Sequence, residues 1–552
     1  MVDILLIQPP LQDFYLTVKR TIPHGLTCIA ASLEAAEFSV EILDAMATSR
    51  SRVIELPDEM TGLQAFYQGP DQSPISLFHL YRHFGYSLEH IGNQIKRAGA
   101  FLVGISSLFT AYSDMALTVA RLVRRVCPEA VIVMGGHHPT ACPESVMACE
   151  AVDFVLRGEG EVAMPLLAHA LQQQASVRGI PGIVFREEDG KLHISPGAVM
   201  SDLDAYPLPA LHLVKHNYYK RAAGRTAVVM TSRGCPMRCS YCSMGSSDDV
   251  PYRSRKKEQV LAEIEVAVER FGVRFIDFED EHLTLNRKAS IEFLKQLIAR
   301  FEGSDLEFRA MNGLFPPSLD AEILVLMKQA GFKALNLSLC TVSAGQLKRF
   351  SRPDVSPAFD RILKTAEELG LDAVGYIIVG APGQDPLLSV ADLIFLAQRR
   401  VLAGVSVYYP VPGSSDFELC RQRGLLPETE TLMRGSALPL SDKTTRRDSV
   451  TLLRLGRILN FMTYLDEHPD AWPGDGTQDK MLSQKLERVA MGVQLLRMFF
   501  KDGRIRGIAS DGAIFEHVVS PALTRAFIDG FEKTGNHFQR WRPETLEILM
   551  LR

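Results

Sequence analysis

Three of the nine cysteines fall within eight residues, as Cys235, Cys239 and Cys242 in the segment TSRGCPMRCSYCSM at 231–244. A C-x3-C-x2-C loop can wrap three thiolates around one face of a metal cluster. A cubic iron–sulfur cluster takes four ligands, one per iron, so three local thiolates leave one iron open to something that is not protein. Open coordination is what lets a metal site do chemistry rather than only hold a fold. A structural zinc site calls for a second C-x2-C knuckle or a Cys/His pair further along, and no second knuckle appears. A disulfide framework suits short secreted chains, not 552 residues with nine cysteines. Gly234 and Pro236 favour a tight loop, and Tyr241 offers a ring at the cluster edge. The preceding run TAVVMT (226–231) reads as a buried strand. The loop therefore leaves the carboxyl end of a strand, where barrel enzymes place their sites.

This pattern, with an aromatic residue before the third cysteine, resembles the signature of the radical S-adenosylmethionine (radical SAM) superfamily. The resemblance implies a 4Fe-4S cluster whose open iron is chelated by the amino and carboxylate groups of S-adenosyl-L-methionine. It also implies reductive cleavage of the sulfonium to a 5'-deoxyadenosyl radical, with flavodoxin or ferredoxin as the kind of electron donor.

The elements around the loop alternate as strand and helix. Strands are expected at 273–279, 306–312, 334–340, 373–380 and 405–411, with helical patterns between them. Together with 226–231 they make six βα units, a partial (β/α)6 TIM-type barrel over 222–417. Their carboxyl ends carry polar groups. Glu279, Asp280 and Glu281 follow the second strand, and the resemblance gives this acidic motif the methionyl ammonium to bind, without choosing among the three. Arg309 and Asn312 end the third strand and are expected to face either cofactor. Gly380, Pro382 and Gly383 resemble the superfamily's Gly-Pro-Gly element near adenine. After the fourth strand the superfamily usually has Gly-x-Glu-Ser; here Ser338, Leu339, Cys340 and Thr341 align, and Cys340 takes the glutamate's place. A small buried packing residue is one reading of Cys340. The sharper one is a catalytic pocket thiol that donates hydrogen or contacts cobalt or cluster.

Upstream, strands at 2–8, 40–44, 101–107, 130–134 and 152–156 alternate with helices and imply a parallel doubly wound sheet. Ligands on such sheets sit at carboxyl ends of strands. Those ends carry Ser106, Ser107, Gly135 and Gly136, followed by His137 and His138. Glycines allow close backbone approach, and amides and hydroxyls can bond phosphate or amide groups. The order of these pieces ahead of the cysteine loop resembles the cobalamin-binding class of radical SAM proteins, over roughly residues 1–400. The resemblance implies a flavodoxin-like (Rossmann-type) cobalamin-binding domain at 1–165, with the nucleotide tail held at Ser106, Ser107, Gly135 and Gly136 and with His137 nearby. No D-x-H-x-x-G loop is found, which implies cobalt without a protein imidazole on its lower face.

Residues 166–221 read as a linker with a hairpin around Asp189-Gly190. Residues 45–90 read as an irregular, aromatic-rich insertion, and 418–552 as a mostly helical region with a loop at 472–476 that caps the barrel or serves packing or dimerisation. Net charge is −5, with 46% apolar and 23% charged residues, as in ordinary globular proteins. No basic cluster points to nucleic acid, and no run of about 18 apolar residues points to a membrane span. The free cysteines suit a reducing cytoplasm. The expected reaction is methyl transfer to an unactivated carbon of a small molecule, lipid, tetrapyrrole or natural-product precursor. In that scheme one S-adenosylmethionine methylates cobalamin and a second yields the radical that removes hydrogen from the substrate. Oxidative cyclisation or rearrangement without methylation, and a non-catalytic cobalamin- and cluster-binding protein, are the alternatives.

Overall fold

The computed structural model describes the chain apart from residues 1, 16–21, 68, 78–79, 222–223, 245–249, 469–479 and 534–552, and only the backbone of 480–486. The loop expected at 472–476 therefore lies outside the described residues.

Five parallel strands form the first sheet: β1 (Ile4–Gln8), β2 (Val40–Asp44), β3 (Leu102–Ser106), β4 (Val131–Gly135) and β5 (Phe154–Leu156). Their order is β2-β1-β3-β4-β5, the flavodoxin-like order. Strands covered on both faces need apolar side chains on both. Leu5, Ile7, Val103, Ile105, Ile132 and Met134 pack into one core, and Ile4, Leu6, Leu102 and Val133 into another. The hairpin read as linker, β6 (Ile183–Arg186) and β7 (Leu192–Ile194), pairs antiparallel along β5 and extends this same sheet.

The segment at 45–90 has more order than its weak periodicity shows. Ser51–Val53 and Leu11–Asp13 flank Arg82–Phe84 in an antiparallel sheet. Met60, Leu63, Tyr67, Ile75, Leu77 and Tyr81 join Phe14 in one core with the barrel helices and the C-terminal helices.

The second domain has six parallel strands: β8 (Gly224–Val229), β9 (Val273–Phe278), β10 (Glu307–Ala310), β11 (Ala334–Cys340), β12 (Asp372–Val379) and β13 (Leu402–Val407). β8-β9-β10 and β11-β12-β13 are continuous ladders. Isolated parallel bridges at Phe308–Phe332 and Leu314–Leu337 join them. The intervening helices start on side-chain caps at Asn286, Asp320, Ser343 and Asp385. Several end on left-handed glycines, Gly272, Gly331 and Gly370. The last strand ends at Val407 rather than 411, because Pro410 and Pro412 carry no amide hydrogen for a ladder.

Beyond the barrel, Arg446–Glu467 opens on a capping box between Thr445 and Asp448. Lys480–Asp502 and Pro521–Glu532 follow as helices, with a short hairpin (Arg506–Ile508, Ile514–Glu516) that periodicity did not show. The segment between β13 and these helices returns to the first domain. There Arg434, 5% exposed, donates to the carbonyls of Gln12 and Ala111 and pairs with Asp13. Among the described residues no helix is long and apolar enough to cross a membrane.

Candidate functional site

The cysteine loop is held at its base and its middle. Ser232–Arg233 pairs antiparallel with Arg253–Ser254, which closes the base. Gly234 has φ +86°, and a Cβ there would meet the Pro251 carbonyl oxygen at 2.6 Å, so the approach requires glycine. Further along, the Cys242 amide donates to the Cys239 carbonyl at 3.1 Å. Ser240 is clamped from both sides: its amide donates to Phe350 O at 3.1 Å, and its carbonyl accepts from the Asp416 amide at 2.8 Å. Cys235, Cys239 and Cys242 all carry their thiols on this one short loop, Cys239 buried and the other two half-buried. Tyr241 sets its ring edge-on against Phe350 at 4.9 Å.

The acidic end of β9 divides its labour. Asp280, 2% exposed, accepts from Thr231 N at 3.1 Å, Thr231 Oγ1 at 2.6 Å and Ser232 Oγ at 2.5 Å. Its carboxylate is consumed in tying the loop's start to β9. Glu281 accepts from the Gly234 amide at 3.2 Å, beside Cys235. The Glu279 carboxylate has no hydrogen bond or ion pair among the described residues. Burial, with Asp277 nearby, pushes its pKa up. Of the three, Glu279 is the free acceptor. Asn312 supports it by donating to the Glu279 carbonyl at 2.7 Å.

Arg309, expected to face a cofactor, has a protein partner of its own. It makes a two-pronged pair with Asp277 at 2.6 and 2.7 Å, across the β9/β10 register where the two residues are partners. Gly380 (φ +79°) and Gly383 (φ +73°) make the turn after β12. The turn is stapled by Gln384, whose side chain accepts from Ala381 N at 3.0 Å and donates to Ile378 O at 2.8 Å. The Gly383 amide is already taken by Asp442 at 2.6 Å. Pro382 lies buried between them.

Cys340 packs against Tyr241 of the cysteine loop. It is 3% exposed and also packs with Phe350, Ala381, Tyr408 and Cys420. A register shift between Ser338 and Cys340 puts it at φ +73°, an uncommon conformation for a non-glycine residue. Burial pushes its thiol up to about 12, so it stays protonated. Sequence reasoning missed its neighbour Arg352. That guanidinium lies 3.7 Å from Cys239 Sγ and 3.2 Å from Tyr241 Oη, and donates to Ser338 O and Oγ at 2.9 Å.

At the first sheet, the ends of β3 and β4 touch. Ser106 registers with Gly135, the Ser107 amide donates to Gly135 O at 2.8 Å, and His138 N donates to Ser107 O at 3.2 Å. Gly136 has φ +116°, and a Cβ there would lie 2.6 Å from Ser107 O. The Ser107 hydroxyl is buried with no partner among the described residues. His137 is exposed at the start of a short helix, His137–Ala141, while His138 turns inward.

The two sites are clasped together by charges that the sequence showed only as separate motifs. Arg233, immediately before Gly234-Cys235, reaches Glu159 at 3.1 Å and Glu161 at 2.6 Å. Arg253, on the paired strand, reaches Glu159 at 2.8 Å. Glu159 and Glu161 belong to the RGEGE stretch after β5.

Comparison with known proteins agrees with this architecture. Residues 229–387 match the family model of the radical SAM superfamily, and residues 69–168 match that of the B12 binding domain. The chain thus carries a B12 binding domain followed by a radical SAM domain, the arrangement of the cobalamin-binding class of radical SAM enzymes. It is 29% identical over 340 residues to the "Uncharacterized methyltransferase PH0819" of Pyrococcus horikoshii, covering 61% of this chain and 72% of that one. It is 24% identical over 470 residues to the cytidylyl-2-hydroxyethylphosphonate methyltransferase of Streptomyces wedmorensis, covering 78% and 84%. It is 31% identical over 313 residues to the anaerobic magnesium-protoporphyrin IX monomethyl ester cyclase of Cereibacter sphaeroides, covering 55% and 50%. Among solved structures, the cobalamin-dependent radical enzyme OxsB superposes with a TM-score of 0.63 at 12% identity, over 100% of this chain and 84% of that one.

The residues present fit the cofactors the family implies. Three cysteines on one glycine-hinged loop suit a site-differentiated cluster. An unengaged carboxylate at the next strand end suits an ammonium. An unpartnered buried Ser107 hydroxyl beside two close-packed strand ends suits a polar ligand tail.

Proposed function

We propose that this enzyme transfers a methyl group to an unactivated carbon of a small molecule, drawn from lipids, tetrapyrroles or natural-product precursors. The observation that carries the reading is the clasp of Arg233 and Arg253 on Glu159 and Glu161, which holds the cysteine loop against the end of the cobalamin-type sheet. When bound, the three cofactors would supply a 5'-deoxyadenosyl radical for hydrogen abstraction and a methyl group for the resulting carbon.

The chain's own part is binding and orientation. Cys235, Cys239 and Cys242 would hold three irons and leave the fourth for S-adenosylmethionine. Glu279 would accept from the methionyl ammonium, while Asp280 and Glu281 keep the loop in place. The Gly380–Gly383 turn would lie at the adenine. Ser106, Ser107, Gly135 and Gly136 would receive the cobalamin tail, with the exposed His137 at the same loop. A flavodoxin- or ferredoxin-type protein would supply the electron.

The test is anaerobic turnover of cluster- and cobalamin-loaded enzyme with methyl-labelled S-adenosylmethionine, reductant and candidate substrates. Labelled product with S-adenosylhomocysteine and 5'-deoxyadenosine in equal amounts supports methyl transfer. The likeness to the ring cyclase favours a second reading, oxidative cyclisation, for which 5'-deoxyadenosine forms without S-adenosylhomocysteine. If fully loaded enzyme releases neither from any substrate tried, both readings fail.

A further inference from the structure

A second group of metal-binding side chains lies away from the cysteine loop. His138 and Cys142 sit four residues apart, with the Cys142 amide bonded to the His138 carbonyl at 2.8 Å. Residues at that spacing share one helical face. Glu430 comes from the opposite direction, on the turn Glu430–Leu432 in the segment that returns from the barrel. One ligand atom from each of the three lies within 4.8 Å of the others.

The imidazole is the independent sign of a ligand. The His138 side chain is fully buried, and neither ring nitrogen has a hydrogen-bond partner among the described residues. An orphaned ring in such a place is costly unless something is bonded to it. Its Nε2 faces the Glu430 carboxylate at 3.5 Å, too far for a hydrogen bond. That carboxylate is held in place by two hydroxyls: Ser113 Oγ donates to one oxygen at 2.9 Å, and Ser145 Oγ to the other at 2.8 Å.

We infer that His138, Cys142 and Glu430 form a zinc site that fastens the post-barrel segment to the loop following β4. The donor set is borderline nitrogen and sulfur with one carboxylate oxygen, the combination zinc favours. Around a tetrahedral zinc, ligand atoms at ~2.0–2.3 Å from the metal lie ~3.5 Å apart. The His138–Glu430 approach already has that spacing, and the Cys142 sulfur lies within 4.8 Å of both. The charges balance: zinc displaces the thiol proton to solvent, and two positive charges meet one thiolate and one carboxylate. Water fills the fourth position. Ser113 and Ser145 keep the carboxylate oriented, as supporting hydrogen bonds do in metal sites.

The test uses the full-length holoenzyme, with iron and zinc counted together after removal of loose metal by gel filtration. About one zinc per chain is expected at full iron loading, and zinc-edge X-ray absorption is expected to show a single sulfur at ~2.3 Å with the remaining ligands nitrogen or oxygen. Cys142→Ser should remove the sulfur from that spectrum. Glu430→Gln, at a residue outside the core, should weaken zinc by more than the roughly 100-fold cost of losing a supporting bond. Holoenzyme with no retained zinc overturns the inference. So does a spectrum with three sulfurs, which would place zinc in the cysteine loop, or zinc affinity unchanged in Cys142→Ser and Glu430→Gln.

Discussion

Glu279→Gln and Asp280→Asn, one residue apart, should fail in opposite ways. Asp280 is 2% exposed and serves three donors, two hydroxyls and a backbone amide. In Asp280→Asn the acceptor loses its charge, and an NH2 replaces one oxygen opposite the Thr231 amide. Bonds to a charged group contribute ~1.5–3 kcal/mol and neutral ones ~0.5–1.5 kcal/mol, so weakening three of them costs about 3 kcal/mol. That is a large fraction of the ~5–15 kcal/mol that holds a domain folded. The variant should melt lower and carry less iron, while the fraction that is loaded binds S-adenosylmethionine normally. Glu279→Gln removes a desolvated carboxylate with no protein partner, so melting and iron content should hold. Its S-adenosylmethionine affinity should fall by the ~1.5–3 kcal/mol of a charge-assisted bond, roughly 10- to 150-fold. Iron analysis, thermal unfolding and calorimetric titration on reconstituted protein separate the two. The reasoning is refuted if Glu279→Gln binds within about threefold of the parent. It is refuted equally if Asp280→Asn keeps its iron and melting point but loses the ligand.

Removing the Arg352 cation beside Cys239 Sγ, as in Arg352→Met, should lower the cluster's midpoint potential by about 60 mV, one charge-assisted bond for a one-electron couple; an EPR-monitored redox titration reads it, and an unchanged potential discards the contact. Arg233→Met leaves Glu161 buried and unpaired, and should cost roughly 3 kcal/mol in chemical denaturation; adding Glu161→Gln should return part of that, which a merely bulky effect would not. Gly136→Ala drives a methyl group into the Ser107 carbonyl and should cost about 1–3 kcal/mol and abolish cobalamin retention on gel filtration. Asp392 is buried with one oxygen accepting from Thr341 and Val342 and the other unpartnered, and burial raises its pKa to about 7. Since the unfolded value is ~3.9, the folded state holds the extra proton between the two, and stability from this group is full below about pH 4 and lost as pH rises to about 7. Asp392→Asn should therefore gain on the parent over that window by up to ~1.4 kcal/mol per pH unit; a constant difference refutes the assignment.

What could be read ahead of the structure depended on how local each signal was. The cysteine loop and its strand are contiguous, and the six barrel strands announce themselves as apolar runs. The carboxylate roles at 279–281 were not separable, because successive residues leaving a strand point to opposite sides and only the barrel decides which side is which. The pairing of Arg309 with Asp277 could not be read, because the two lie 32 residues apart on neighbouring strands. The same distance problem hid the clasp: Arg233 and Glu159 are 74 residues apart, and each looked like part of its own motif. Three-residue strands such as Ser51–Val53 are too short for a period-2 pattern, so the 45–90 segment read as irregular. The αL conformation of Cys340 has no local signature, and its burial follows from Tyr241 and Phe350 closing over it.

The largest core contains Phe14, Met60, Tyr67 and Tyr81 from the first third of the chain, Leu335 and Val379 from the barrel, and Leu455 and Phe527 from the last third. A protein built this way is sequentially modular but mechanically indivisible. Hinge opening between its two halves would expose apolar surface at ~25 cal/mol per Å2, so access for a substrate must come from local movement of loops rather than from parting the domains. It follows that unfolding should be a single cooperative event across both cofactor sites, and that cutting the chain near residue 417 should yield two insoluble pieces rather than two working domains.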